Sequence, residues 1–293
     1  IGAGNDYLLM LLSTVIGQNH KVALENPTYK QAYRLFKSLS YDVCTVDMDE
    51  KGMKVADLKS SGADIAFVMP SHQYPLGIVM PMKRRMELLK WAAKDPARYI
   101  IEDDYDSEFR YKGKPIPALQ GYDRWEKVIY IGTFSKSIAP AIRVGFMVLP
   151  EHLMKVYREK AGFYASTVSR IDQNILYQFI TQGYYERHLN RMRALYKGKH
   201  DALMAGLKEL EDRFLIRGEY AGLHVLLTHR QGEAEESLVA RAAELGVKVY
   251  GISGCFIQPE EKLFDSTVML GYASLSEEEI RNGTKLLSKA WTF

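Results

Sequence analysis

Only two of the 293 residues are cysteine, Cys44 and Cys255. That is too few for a disulfide framework, so a reducing, cytoplasmic setting is expected. No apolar run approaches the roughly 20 residues of a membrane span, and no membrane partner is expected. An excess of one charge is also missing: 39 Lys and Arg against 36 Asp and Glu leave a net +3, spread along the chain. Such a balance has no electrostatic footprint for nucleic acid, so this stretch is not expected to hold DNA by charge. There is no internal repeat, no low-complexity segment, and no basic start with a small-residue cleavage site. The chain opens at Ile1 without Met and runs straight into an apolar helical pattern at 7–16, which reads as a piece of something longer.

What is present is ordinary for a globular protein: 47% hydrophobic and 26% charged residues, enough for a sizeable core in one large domain or two. Apolar β-rich runs at 22–25, 43–47, 65–69, 99–102, 128–131 and 144–149 alternate with helical patterns, among them 29–39 and 82–93. Near-continuous apolar strands separated by helices predict an α/β fold with a mostly parallel sheet covered on both faces. The pattern changes after Pro150. A long helical region from Ile171 to about Leu210 breaks near Gly183 and is followed by strands at 214–217, 223–228, 247–250 and 268–273, with helices at 235–245 and 277–290. This predicts a smaller α+β domain. The expected division is a large domain over 1–165, connecting helices over 166–210 and a small C-terminal domain over 211–293.

Four segments stand out. IGTFSKSIAPAIRVGF, at 131–146, places Lys136 just past a strand among Thr133, Ser135 and Ser137, with Arg143 seven residues on. A lysine after a strand, taken alone, is usually a solvated loop residue. YIIEDDYDSEFRY, at 99–111, puts Glu102, Asp103 and Asp104 at a strand end, where α/β sheets bind ligands, or where acids merely cap a turn. GAGND, at 2–6, precedes a helix and suits close backbone approach to an anion. PSHQYPLG, at 70–77, also follows a strand and reads equally as a Pro/Gly turn.

Together, in this order and over almost the whole chain, these segments resemble the fold-type I enzymes that use pyridoxal 5′-phosphate (PLP). The wording EDDYDSEF, then GTFSKS, then Pro140 and Arg143 is similar to the MocR or GabR regulators, whose effector-binding half is aminotransferase-like. The resemblance implies a large mostly parallel sheet domain and a smaller α+β domain, with an upstream winged helix-turn-helix that this chain lacks. It implies PLP held on Lys136 as a Schiff base, since an amine is required for that bond. Asp103 would pair with the protonated pyridine nitrogen. Tyr105 would bond the ring's phenolate oxygen, with His72 or Gln73 nearby, and Tyr29 would stack on the ring. Gly4, Asn5 and Asp6 would offer backbone N–H groups to the phosphate, joined by Ser135 and by Arg143 as its charged partner.

The sequence also departs from that pattern. Aminotransferases of this fold grip the substrate carboxylate with an arginine near the C-terminal end, and Ser274 stands at that strand end; the GABA-responsive member carries a second arginine where Gln31 stands. Both departures argue against GABA as the ligand and against an ordinary α-amino-acid aminotransferase. Arg170, in STVSRIDQ, is a surface residue or the contact for an effector carboxylate. The expected function is therefore effector sensing by a PLP-dependent transcriptional regulator, an amino acid, D-amino acid or small peptide taking the place of Lys136 as an external aldimine. A homodimer is expected, with DNA contacted only through the missing domain. The alternative is an aminotransferase with full turnover.

Overall fold

The computed structural model describes residues 1–111, 117–258 and 265–292. They divide into two compact units: 1–74, 78–107 and 117–187 in the first, and 75–77, 108–111, 188–258 and 265–292 in the second.

The first unit opens with α1 (Asn5–Ile16), β1 (Lys21–Asn26), α2 (Lys30–Ser38), β2 (Asp42–Asp49), β3 (Gly52–Met53) and α3 (Val55–Ser60). It continues with β4 (Ile65–Val68), α4 (Met82–Ala92), β5 (Tyr99–Asp104), β6 (Val128–Thr133), β7 (Gly145–Val148), α5 (Glu151–Lys160) and α6 (Arg170–Thr181). Its strands form one sheet in the order β3-β2-β1-β4-β5-β6-β7. The five from β2 to β6 run parallel, while β3 and β7 join the edges antiparallel. Every residue of β4 and β5 is buried, which is why those strands read as unbroken apolar runs until the acids begin. One face carries Ala23, Val46, Ala66, Ile100 and Val128 against Leu58 of α3 and Leu88, Leu89 and Trp91 of α4. Helix α1 packs along β6 and β7 with Leu8, Leu11, Leu12 and Val15 buried.

Helix α7 (Tyr184–Leu207) begins in the first unit and ends in the second. There follow β8 (Phe214–Arg217), β9 (His224–His229), α8 (Glu235–Glu244), β10 (Tyr250–Gly251), β11 (Thr267–Gly271) and α9 (Glu277–Trp291). These strands form an antiparallel sheet in the order β10-β11-β9-β8. Val225, Leu227, Val268 and Leu270 face Leu203, Leu207, Leu238, Ile280, Leu287 and Trp291 in one core. Ser276 caps α9 in a reciprocal box with Glu279, as the Ser-x-x-Glu spacing dictates. His224 is buried with Nε2 2.9 Å from the Pro75 carbonyl.

The mostly parallel sheet followed by a smaller α+β unit is the architecture expected from the sequence. The differences are local. Helices α3 and α5 were not anticipated: α3 has only six residues, and α5 buries Leu153 alone, so neither leaves a wide apolar stripe. Of the run at 247–250 only Tyr250 is in a strand, the two-residue β10 (Tyr250–Gly251) at the sheet edge.

Candidate cofactor and effector site

Strands β2, β1, β4, β5 and β6 all present their carboxyl ends at one edge, and the order of connection reverses between β1 and β4. Loops leaving a sheet at such a point diverge and open a crevice for ligands. Tyr29 follows β1, His72 and Gln73 follow β4, Tyr105 and Asp106 follow β5, and Ser135 and Lys136 follow β6. The Gln73 amide donates to the Pro27 carbonyl at 2.8 Å, tying the first two of these loops together.

The three acids of β5 are separated by the pleat, since successive side chains point to opposite faces. Glu102 lies on the side of Ile100 and accepts from the backbone N–H groups of Leu119 and Gln120 at 2.7 and 2.8 Å. Asp104, on the same side, accepts from the Tyr130 hydroxyl at 2.8 Å. Both are structural clasps. Asp103 points to the other face, where the Asn5 side-chain amide donates to its Oδ1 at 3.0 Å. Burial, helped by the neighbouring charge of Asp104, pushes the Asp103 carboxyl up to about 7, with the Asn5 bond pulling the other way.

The start of α1 lies beside Arg143. Gly4 has φ 88, and a Cβ there would stand 2.8 Å from Arg143 Nη2 and 3.0 Å from Cζ. Arg143 itself is left-handed, with φ 49, and its guanidinium lies 3.7 Å from the Asp6 carboxylate. The Gly4 N–H is already given to the Gly2 carbonyl at 2.8 Å. The missing Cβ at Gly4 leaves room for the guanidinium. The first turn of α1, beginning at Asn5 and Asp6, has no side-chain cap. Ser135 folds back locally, its N–H donating to Thr133 Oγ1 at 3.1 Å.

An aromatic row runs across the same edge. Tyr29 meets Tyr74 edge-on at 6.1 Å between ring centroids, and Tyr74 meets Tyr105 at 6.5 Å. Burial raises the Tyr29 phenol above its usual value, and the charges of Asp6 and Asp103 add to the effect. Tyr105 Oη lies 2.9 Å from His72 Nδ1.

The remaining candidates are more scattered. Lys136 is exposed in the turn after β6. Gln31 is exposed as the second residue of α2. Arg170 is exposed as the first residue of α6, and the loop before it reaches the Gly2–Gly4 segment through Thr167 Oγ1, which accepts from the Ala3 N–H at 3.0 Å. Ser274 belongs to the second unit, exposed in the turn after β11. Sequence reasoning missed the Asn5 side chain, Tyr74 and Asp106. The only signal available was their position within the four segments already singled out.

A doubly covered parallel sheet with a buried carboxylate, an arginine-lined helix start and a loop lysine at its carboxyl edge defines an aminotransferase-like α/β protein of fold type I. The model of the family "Aminotransferase class I and II" matches residues 1–285, and the chain belongs to that family. The chain is 41% identical over 293 residues to the uncharacterized HTH-type transcriptional regulator YdeL of Bacillus subtilis, covering 99% of this chain and 62% of that protein. It is 32% identical to the probable rhizopine catabolism regulatory protein MocR of Rhizobium meliloti, over 92% of this chain and 54% of that protein. The similarity to MocR-type regulators thus extends along nearly the whole chain, which spans about three fifths of the length of these regulators. Among solved structures, the kynurenine aminotransferase of Pyrococcus horikoshii in complex with PMP superposes with a TM-score of 0.84 at 26% identity, covering 98% of this chain and 73% of that one. Among the described residues no helix is long and apolar enough to cross a membrane.

Proposed function

We propose that this chain is the effector-sensing body of a PLP-dependent transcriptional regulator, holding PLP through Lys136 and responding to a small amino compound. The observation that carries the reading is Asp103, a buried carboxylate near neutrality held by Asn5 on the α1 side of the sheet. A carboxylate so placed calls for a cationic N–H, and a protonated pyridine nitrogen is one. The room kept at Gly4 for Arg143, beside an uncapped helix start, suits a phosphate. PMP, the aminated form of the same cofactor, is named with the similar P. horikoshii enzyme.

PLP, when bound, supplies an aldehyde for an amine and a ring that withdraws electrons. The chain's own residues would bind and orient it: Asp103 would hold the ring nitrogen's proton, Tyr105 would bond the phenolate oxygen, Tyr29 would cover the ring, and Arg143 with the N–H groups of Asn5 and Asp6 would take the phosphate. Lys136 would supply the amine for the covalent link, one that an effector amine could replace.

Exposed apolar side chains at Phe163, Ile171, Ile175, Tyr177 and Ile180 favour a homodimer, as does the prevalence of two-fold pairs. The two free cysteines suit a reducing cytoplasm. Likeness to regulators of greater length, one of them HTH-type, favours DNA contact through a separate segment.

Sensing is favoured over transamination by Ser274, which cannot clamp a carboxylate as arginine does. Without that clamp the reacting bond is not held perpendicular to the ring, and such misplacement costs on the order of 100-fold in rate. Single-turnover spectroscopy over a panel of L- and D-amino acids, dipeptides and simple amines, with a keto-acid acceptor, tests this. Fast, reversible spectral change without turnover is expected. Sustained turnover at about 1 s⁻¹ or faster would make the protein a working aminotransferase, the reading favoured by its likeness to solved aminotransferases.

A further inference from the structure

Two side chains after β5 converge on one ring nitrogen. Asp106 Oδ2 and Tyr105 Oη each lie 2.9 Å from His72 Nδ1, and the side chains of His72 and Asp106 are only 1% and 3% exposed. A carboxylate oxygen and a bare imidazole nitrogen cannot approach so closely, because their lone pairs repel; a proton lies between them. An imidazole nitrogen is a stronger base than a carboxylate oxygen, so that proton sits on Nδ1. This holds whether the ring is neutral or charged. That one hydrogen faces both Asp106 Oδ2 and Tyr105 Oη, a three-centre bond, so Tyr105 can only accept at His72. Its own hydrogen must point elsewhere.

We propose that His72 and Asp106 are a positioning pair that commits the Tyr105 hydroxyl to donate into the crevice, where, on the PLP reading above, it bonds the cofactor's phenolate oxygen. His72 thus acts through Tyr105 and does not itself touch the cofactor. Asp106, the last acid of EDDYD, aligns His72 and leaves the cofactor to Asp103. Tyr74 packs edge-on to the Tyr105 ring. Burial and the nearby charges of Asp106 and Asp103 keep Tyr105 a phenol, so its hydrogen is retained.

Long-range ¹H–¹⁵N NMR of protein labelled in its seven histidines, with His72→Gln to assign the signal, reads which nitrogen carries the proton. A protonated Nδ1 in the cofactor-free protein is expected; a bare Nδ1 with the proton on Nε2 overturns the proposal. Asp106→Asn preserves volume but offers Nδ1 either an oxygen or an NH₂, so a mixture of tautomers is expected. With PLP, Tyr105→Phe should raise the dissociation constant by about tenfold, the loss of one hydrogen bond. Asp106→Asn should raise it in part, moving the titration midpoint of the bound cofactor's absorbance in the same direction as Tyr105→Phe. In the Tyr105→Phe background it should add nothing. An effect of Asp106→Asn that adds in full to Tyr105→Phe, or no effect when Tyr105→Phe has one, overturns the pairing. If the wild-type chain took up no PLP, the cofactor reading would fail while the tautomer measurement still decided the geometry.

Discussion

Replacing Asp103 with asparagine should flatten the pH dependence of stability of the cofactor-free protein. The carboxyl is held at about 7 in the folded chain against 3.8 when free, chiefly because burial penalises its charge. A raised carboxyl binds its proton more tightly when folded, so folding is favoured at low pH. That advantage is complete below the free value and is lost as pH rises through the folded one. The displacement spans about three pH units, or about 4 kcal/mol in all. Between pH 5.5 and 8.5 only the part from 5.5 to about 7 is crossed, which is about 2 kcal/mol. The substituted side chain keeps an oxygen for the Asn5 amide but cannot ionise. Urea unfolding of both proteins at the two pH values gives the comparison. Glu25 and Glu102, raised by burial to about 8 and about 7, slope the same way in both proteins and cancel in the difference. Wild type should lose about 2 kcal/mol more than Asp103→Asn over this interval. Parallel profiles for the two proteins would refute the argument that an uncompensated charge is buried there. Asp103→Asn should also lose most of its affinity for PLP.

Borohydride reduction should fix PLP to Lys136, and Lys136→Ala should abolish the adduct; recovery on another lysine would reject the assignment. Gly4→Ala places a methyl 2.8 Å from Arg143 Nη2 at φ 88 and ψ 174, an extended positive-φ backbone that glycine alone adopts readily and that costs other residues about 1–3 kcal/mol, so both the melting temperature and PLP affinity should fall. Arg170→Ala should weaken effector binding by about 1.5–3 kcal/mol, the worth of a hydrogen bond to a charged group, with little change in PLP affinity. An unaltered effector titration would leave Arg170 a surface residue. Ile175→Glu should shift sedimentation toward monomer, and an unchanged dimer would place the interface away from α6.

The alternation of apolar runs and helices determines the fold class by itself, because strands buried on both faces must be apolar throughout and their crossovers amphipathic. The four motif segments likewise marked where chemistry could lie, since short connections bring strand ends to one edge. What the sequence could not resolve was direction. Glu102, Asp103 and Asp104 are consecutive and chemically alike; only the pleat of β5 turns Asp103 toward Asn5 and leaves its neighbours to clasp a loop and Tyr130. Asn5 was anticipated as a backbone donor, and only the packing of α1 on the sheet makes its side chain the partner of Asp103. Nothing in the sequence singles out Asp106, and only the fold brings His72 from 34 residues away to meet it. Spacing along a chain limits which residues can be near one another. Which way each side chain points depends on the faces the finished sheet presents, and that is a tertiary fact.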